Sequence, residues 1–285
     1  MSERVPILID TDLGSDIDDA LALAYLLKQP RCELVGITTV SGAVDERAAI
    51  AEIVCHAFGR NDVPIHTGLS DTLADGPGQP RVPHYAAVKH LPHRKTYPND
   101  AVDFLRKTIR SRPGEIVLLS IGPFSNMAVL LALDPEIPSL LKGFISMAGS
   151  FFRGNEAEWN CLCDPEATIA TLKRTHRHTL VGLDVTIPCS MPPAEVRAKF
   201  SKPPLDVLLL MAEKWFEGAD RVTFHDPLAA ALIFRPELCE LASGRVQGLP
   251  GGHTVLKDDP AIPHHVAKHV DVQAFFTEYF RVVEG

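Results

Sequence analysis

Short apolar runs alternate along this chain with stretches in which apolar residues recur at helical spacing. Runs at 6–12, 32–40, 63–68, 115–122, 142–150 and 178–186 read as buried strands, because each is apolar on both faces and ends in a turn. Between them, 18–28, 45–59, 99–114, 123–135 and 165–175 carry the 3–4 residue period of helices. From Pro188 the pattern turns mostly helical (193–200, 205–218, 225–234 and 271–283), with β-like pieces at 241–249 and 252–258. Strand–helix alternation predicts an α/β fold with an open, mostly parallel central sheet, helices on both faces and extra helices in the C-terminal third. No Gly/Ser linker or internal repeat interrupts the chain, so 1–285 is expected to form one domain.

Local signals sharpen the boundaries. Asn99 is a candidate N-cap, Gly59 a candidate helix stop, and Asp164-Pro165 and Asp226-Pro227 both read as an N-cap followed by proline in the first turn. Residues 71–100 break the rhythm with several prolines, His84, His90 and His93, and little periodicity. So long an insert in a compact domain predicts a functional lid or mobile loop.

Composition narrows the partners. With 285 residues, 46% hydrophobic and 22% charged, the chain can bury a large core. A net charge of -8 without a Lys/Arg cluster argues against nucleic acid. No run is apolar for long enough to cross a membrane, and the first residues lack a signal-peptide pattern. The scattered cysteines 32, 55, 161, 163, 189 and 239 read as reduced thiols of a cytoplasmic protein.

One stretch resists a structural account. Asp10, Asp12, Asp16, Asp18 and Asp19 crowd around Gly14 where the first strand gives way to the first helix. Folding has no need of five mutually repelling acids, whereas a cation does. Other polar groups follow later strands: Ser41-Gly42, Gly122 to Asn126, and Gly154 to Asn160; His225-Asp226 opens a late helix. In open parallel sheets such positions converge on one crevice. The donors are carboxylates, amides and turn carbonyls, which suit Ca²⁺ or Mg²⁺ better than zinc. An EF-hand is excluded because Leu21 stands where the twelfth-position Glu is needed.

DTDLGSDIDDALAL, TTVSG, IGPFSNMA, GNEAEWNCLCDPEA and HDPLAAA, in this order, resemble the inosine–uridine-preferring nucleoside hydrolase family from residue 5 to about residue 235. The resemblance implies a Rossmann-like nucleoside hydrolase fold, a bound Ca²⁺, and hydrolysis of the N-glycosidic bond of ribonucleosides in purine or pyrimidine salvage. It also implies a homodimer or homotetramer. By position, Asp12 resembles the base that activates water, and His225 the residue beside the leaving nucleobase. Asp12, Asp19, the Ser125 carbonyl and Asp226 resemble the metal ligands. Asp18, Asn155, Glu158, Asn160 and Asp226 resemble the groups that hold the ribose hydroxyls. Calcium is a weaker Lewis acid than zinc, so the attacking water still needs a base.

The chain departs from the family pattern at three points. Two extra residues, including Asp16, separate the first acid pair from the second; Ala43 follows TTVSG in place of Asn or Asp; and no His-Gly segment follows the third strand. Two other readings compete. A haloacid-dehalogenase-like phosphatase would explain Asp10-Thr-Asp12, but Gly14 stands where such enzymes want Thr or Val. A non-catalytic riboside or calcium binder would tolerate Ala43.

Overall fold

The computed structural model describes residues 4–154, 156–259 and 263–285. Among these, nine strands form one sheet: β1 (Val5–Thr11), β2 (Cys32–Thr39), β3 (Ile65–Thr67), β4 (Val117–Ser120), β5 (Gly143–Met147), β6 (His178–Val181), β9 (Cys239–Gly248), β10 (Thr254–Lys257) and β11 (His264–Val270). Strands β7 (Ser190–Met191) and β8 (Val222–Thr223) pair separately as a small antiparallel ribbon. The order across the sheet is β10-β9-β11-β6-β5-β4-β1-β2-β3. Every pair from β3 to β11 is parallel, and only β9 and β10 join antiparallel at one edge. The predicted open, mostly parallel sheet is the observed one.

Successive side chains of a strand point to opposite faces, and β1 feeds two separate cores accordingly. Ile7 and Ile9 enter the larger one, with the helices Asp18–Lys28, Val44–Ala57 and His225–Leu232; Leu8 enters the other, with Ala101–Ser111, Ser125–Leu133 and Pro165–Arg174. The alternation continues into the polar end of the strand. Asp10 follows Leu8's direction and meets Asn126, whereas Thr11 follows Ile9's and donates to Asp19. β1 is flanked by β2 and β4: the chain runs outward from β1 to β2 and β3 and returns to the other side of β1 as β4, a change of direction that opens a crevice at its carboxyl end.

Several local expectations change. Asp100, not Asn99, occupies the N-cap of Ala101–Ser111, and its carboxylate meets His66 Nδ1 at 2.6 Å rather than capping the helix. The sixth strand stops at Val181, and Leu183–Thr186 is a helical turn because Gly182 redirects the chain beneath Gly149. A turn of helix, Trp159–Cys163, lies in what reads as a loop. Strand β11 has no clear sequence signal, being the histidine-rich HHVAKHV. The 71–100 insert is folded down rather than loose: it forms the turn Tyr85–Val88 and buries Val82, His84, Val88 and Tyr97. Asp164 does cap Pro165–Arg174, accepting from Ala167 N at 3.1 Å, and Gly59 adopts the positive φ of a helix stop at 73°. All six cysteines are buried and free.

Candidate active site

At the carboxyl ends of β1 and β4 lies a cavity of about 250 Å³. Its acidic wall is Asp12, Asp16, Asp18 and Asp19 from the first strand–helix junction and Asp226 from the late helix; Glu158, Asn160, Trp159, Trp215 and His225 line much of the remainder. Two backbone features bring these acids together. Gly14, at φ +111°, makes a turn that a β-carbon would block against Ile50 and Val82. Gly122 lets the end of β4 approach Asp12, since a β-carbon there would stand 2.8 Å from the Asp12 nitrogen.

The helices Asp18–Lys28 and His225–Leu232 pack along each other and present their N-termini to the same point. There the carboxylates of Asp18, Asp19 and Asp226 offer oxygens within 4.8 Å of one another. The N-cap of the late helix is Phe224, so Asp226 stands inside the first turn and its carboxylate is not spent on capping. Its backbone N–H instead donates to Asp18 Oδ2 at 3.2 Å. Asp19 accepts from Thr11. Burial first, then mutual repulsion, drives all three carboxyls well above the usual range. Two helix N-termini offset part of that cost. An oxygen-only, buried, electron-rich trio fits a hard cation and little else.

Asp12 lies in the same cavity but outside that trio. Burial raises its carboxyl, and the Arg47 guanidinium opposes the rise. Asp16, half-buried on the cavity wall, accepts from Ile17 N at 2.5 Å and is pushed up to about 7 by burial. Asp10 lies beneath the floor. It accepts from Asn126 Nδ2 at 2.7 Å and from Thr38, and burial pushes it to about 7.

The other anticipated residues divide. Glu158 lines the cavity, yet it is also the N-cap of Trp159–Cys163, accepting from Asn160 N at 2.6 Å and Cys161 N at 3.1 Å. Asn160 spends its NH₂ on the carbonyls of Ile121 and Met147 at 3.0 and 3.1 Å, which leaves its side-chain carbonyl oxygen without a donor among the described contacts. His225 holds Thr186 Oγ1 through Nδ1 at 2.7 Å, and burial lowers it to about 4, so it is neutral at pH 7. Ser125 is not a lining residue. Its hydroxyl bonds Asp164 Oδ2 at 2.6 Å, and it opens the helix Ser125–Leu133 next to Gly122 to Phe124. Asn155 lies outside the described residues. Trp159 is 48% exposed and forms part of the cavity wall at its rim.

Sequence reasoning missed Gln79, Leu183 and Trp215, which also line the cavity. Gln79 comes from the Pro/Gly-rich insert and Trp215 from the end of the helix Asp206–Trp215, whose pattern predicts a helix but not that its last turn reaches the cavity. His84 was visible only as one histidine among several. It is buried edge-on against Trp215, its ring 6.4 Å away, with both ring nitrogens unpartnered.

Comparison with known proteins bears on what this cavity does. A family model described as inosine-uridine preferring nucleoside hydrolase matches residues 7–277. The chain belongs to that family. It is an N-ribosyl hydrolase of ribonucleosides, which sets aside the phosphatase and the non-catalytic binder. It is 31% identical over 283 residues to "Uridine nucleosidase 1" of Arabidopsis thaliana, covering 90% of this chain and 83% of the relative. It is 30% identical to "Non-specific ribonucleoside hydrolase RihC" of Shigella boydii, covering 95% and 96%. Among solved structures, the purine-preferring ribonucleoside hydrolase from Gardnerella vaginalis superposes with a TM-score of 0.86 at 25% identity, over 98% of both chains. The names of these relatives differ in nucleobase, so the nucleoside hydrolase chemistry is common to them and the base preference is not.

Proposed function

We propose that this nucleoside hydrolase is calcium-dependent and that Asp12 is the general base. The observation that carries the reading is the buried trio of Asp18, Asp19 and Asp226 carboxylates beside a fourth acid, Asp12, that does not share their oxygens. We assign the ion to Asp12, Asp19, the Ser125 carbonyl and Asp226. Asp18, within the same 4.8 Å spacing, is assigned to the sugar hydroxyls. When bound, calcium supplies a fixed positive charge that orients the ribose diol and a water molecule. The residues do the rest.

Cleavage of the ribosyl–nitrogen bond builds oxocarbenium character on the sugar, which surrounding carboxylates stabilise. Asp12 takes the proton of the attacking water. Asp18, Asn155, Glu158, Asn160 and Asp226 hold the hydroxyls, with the free side-chain carbonyl of Asn160 suited to accept one. His225 is neutral before substrate binds, so we assign it to hydrogen bonding with the departing base, rather than to delivery of a resident proton. Trp159, Trp215 and Gln79 face the base side of the cavity on this reading.

A ribose-release assay on ribonucleosides paired with their 2′-deoxy counterparts tests the hydroxyl assignment. Turnover of the deoxy substrates is expected to be lower by about 10⁴-fold, because buried polar partners lose their mate. Comparable turnover of both would remove Asn160, Glu158 and Asp18 from the sugar site. We further propose a cytoplasmic setting, consistent with six buried free thiols. A homodimer or homotetramer, proposed on the family resemblance, is tested by light scattering.

A further inference from the structure

Arg47 is wholly buried. It stands in the helix Val44–Ala57, one turn after Ala43, and points its guanidinium into the junction that carries the aspartates. Its described hydrogen bonds all go to backbone carbonyls or a hydroxyl. Nε donates to Ser41 O at 2.6 Å; Nη1 donates to Asp12 O, to Leu13 O at 3.1 Å and to Ser15 Oγ at 3.0 Å; Nη2 donates to Gln79 O at 2.5 Å. One side chain thus joins three segments that meet at the cavity: the loop after β1, the loop after β2 and the insert. Ser15 adds a second tie to the insert by donating to Arg81 O at 3.0 Å.

Burying a guanidinium is expensive unless its donors are satisfied, and a methionine of similar volume would pack here without that cost. What an arginine alone provides is a planar fork reaching several acceptors in fixed directions. The acceptors include the main-chain carbonyl of Asp12 itself. On the other side of Asp12, its nitrogen faces the bare Cα of Gly122. The guanidinium thus holds the Asp12 carbonyl, and Gly122 packs closely against its nitrogen.

We propose that Arg47 is a positioning residue for hydrolysis: it fixes the Asp12–Ser15 backbone against the insert and so sets the direction in which the Asp12 carboxylate meets the attacking water. The positive charge also sits behind the acidic wall without bridging any carboxylate in it, which offsets their repulsion and leaves their oxygens facing the cavity. This inference rests on the reading of Asp12 as the base.

The test compares Arg47→Lys and Arg47→Gln with the wild type and with Asp12→Asn, using the best ribonucleoside from a substrate screen. Melting midpoints by circular dichroism define a temperature at which each variant is folded, and kcat and KM are measured there. Both Arg47 variants are expected to lose about 100-fold in kcat, with KM changed less than about threefold. Lysine should fail to restore turnover because it keeps the charge and loses the fork. A lowered melting midpoint with kcat within about threefold of wild type would overturn the proposal and leave Arg47 a structural residue. Asp12→Asn separates the two claims: if it retains turnover while Arg47→Lys loses it, the effect does not run through Asp12 and the proposal also falls. If neither Arg47 variant folds, Ser15→Ala removes one contact of the fork and decides instead. A loss of about fivefold in kcat at constant KM supports the positioning role; unchanged kcat overturns it.

Discussion

At the scale of single residues, the acids of the first strand–helix junction differ in what holds them. Asp10 is enclosed by Asn126 and Thr38, Asp19 accepts from Thr11, and Asp226 is tied to Asp18 through its backbone N–H. Their presence was legible in the sequence because five acids in ten residues have no structural purpose. Their division of labour was not, because it depends on which face of β1 each follows and on a partner 208 residues away, Asp226 against Asp18. Asp16, without an assigned place in the sequence, proves to be part of the cavity wall. Arg47 was invisible: an arginine in the first turns of a helix looks like a solvated charge. A pH dependence follows from the carboxyls of Asp18, Asp19 and Asp226, all raised by burial and repulsion. Without an ion they hold protons above the usual carboxylate range, and binding a cation must expel them. Calcium affinity is therefore expected to climb as pH rises above the usual carboxylate range, with proton release visible by calorimetry in buffers of different ionisation enthalpy. An affinity independent of pH would mean that Asp19 and Asp226 do not hold the ion.

At the scale of elements, the strands flanking β1 were readable from apolar runs, and helices from their period. Errors fell where tertiary context decides. Strand β11 is polar in sequence because it lies next to the antiparallel edge, where His265 and Lys268 can face outward. The insert looked mobile because its order comes from distant partners, among them Cys163 O with Gly78 N at 3.0 Å and Asp164 Oδ2 with Leu73 N at 2.9 Å. Asn126 shows how tightly the junctions are tied. From the first turn of Ser125–Leu133 it donates to Asp10 Oδ1 and to Thr39 O at 3.1 Å, and it accepts from Leu69 N at 3.0 Å, so one amide joins the ends of β1, β2 and β3. Asn126→Ala leaves the buried Asp10 carboxyl and the Leu69 N–H short of partners. A loss on the order of 3 kcal/mol is expected, measured by chemical denaturation. A change within about 0.5 kcal/mol would show that water replaces the amide without cost.

At the scale of the whole molecule, the topology makes the site. The sheet order places β1 between β2 and β4, and the late helix His225–Leu232 returns across the junction to add Asp226. The fold class was therefore legible from strand–helix alternation, and the site's location from the rule that such sheets bind ligands at strand carboxyl ends. The start of β6 holds a buried chain: Ser146 Oγ to His178 Nε2 at 2.7 Å, His178 Nδ1 to Thr175 at 3.4 Å, and Thr175 to His264 Nε2 at 3.3 Å. Burial lowers His264 to about 4 and also holds His178 well below the usual histidine range. A neutral buried histidine of this kind binds fewer protons folded than unfolded, so its contribution is complete above about pH 6.5 and is lost as pH falls towards 4. The gap in melting midpoint between wild type and a His178→Gln/His264→Gln variant should accordingly narrow on going from pH 7.5 to 4.5. A gap constant with pH would contradict burial in the neutral form. The acidic cluster, common to both proteins, cancels from the comparison.

The central claim is that this family member cleaves ribonucleosides with a cation held by Asp12, Asp19, the Ser125 carbonyl and Asp226, and with Asp12 as base. Its most direct test is ribose release from a panel of the common ribonucleosides by purified protein, measured as prepared, after chelation and after calcium is restored, beside Asp12→Asn. Free ribose and base should appear with at least one nucleoside, vanish on chelation and return with calcium, and fall by about 10³-fold in Asp12→Asn. Turnover that survives chelation, or that survives in Asp12→Asn, would contradict it.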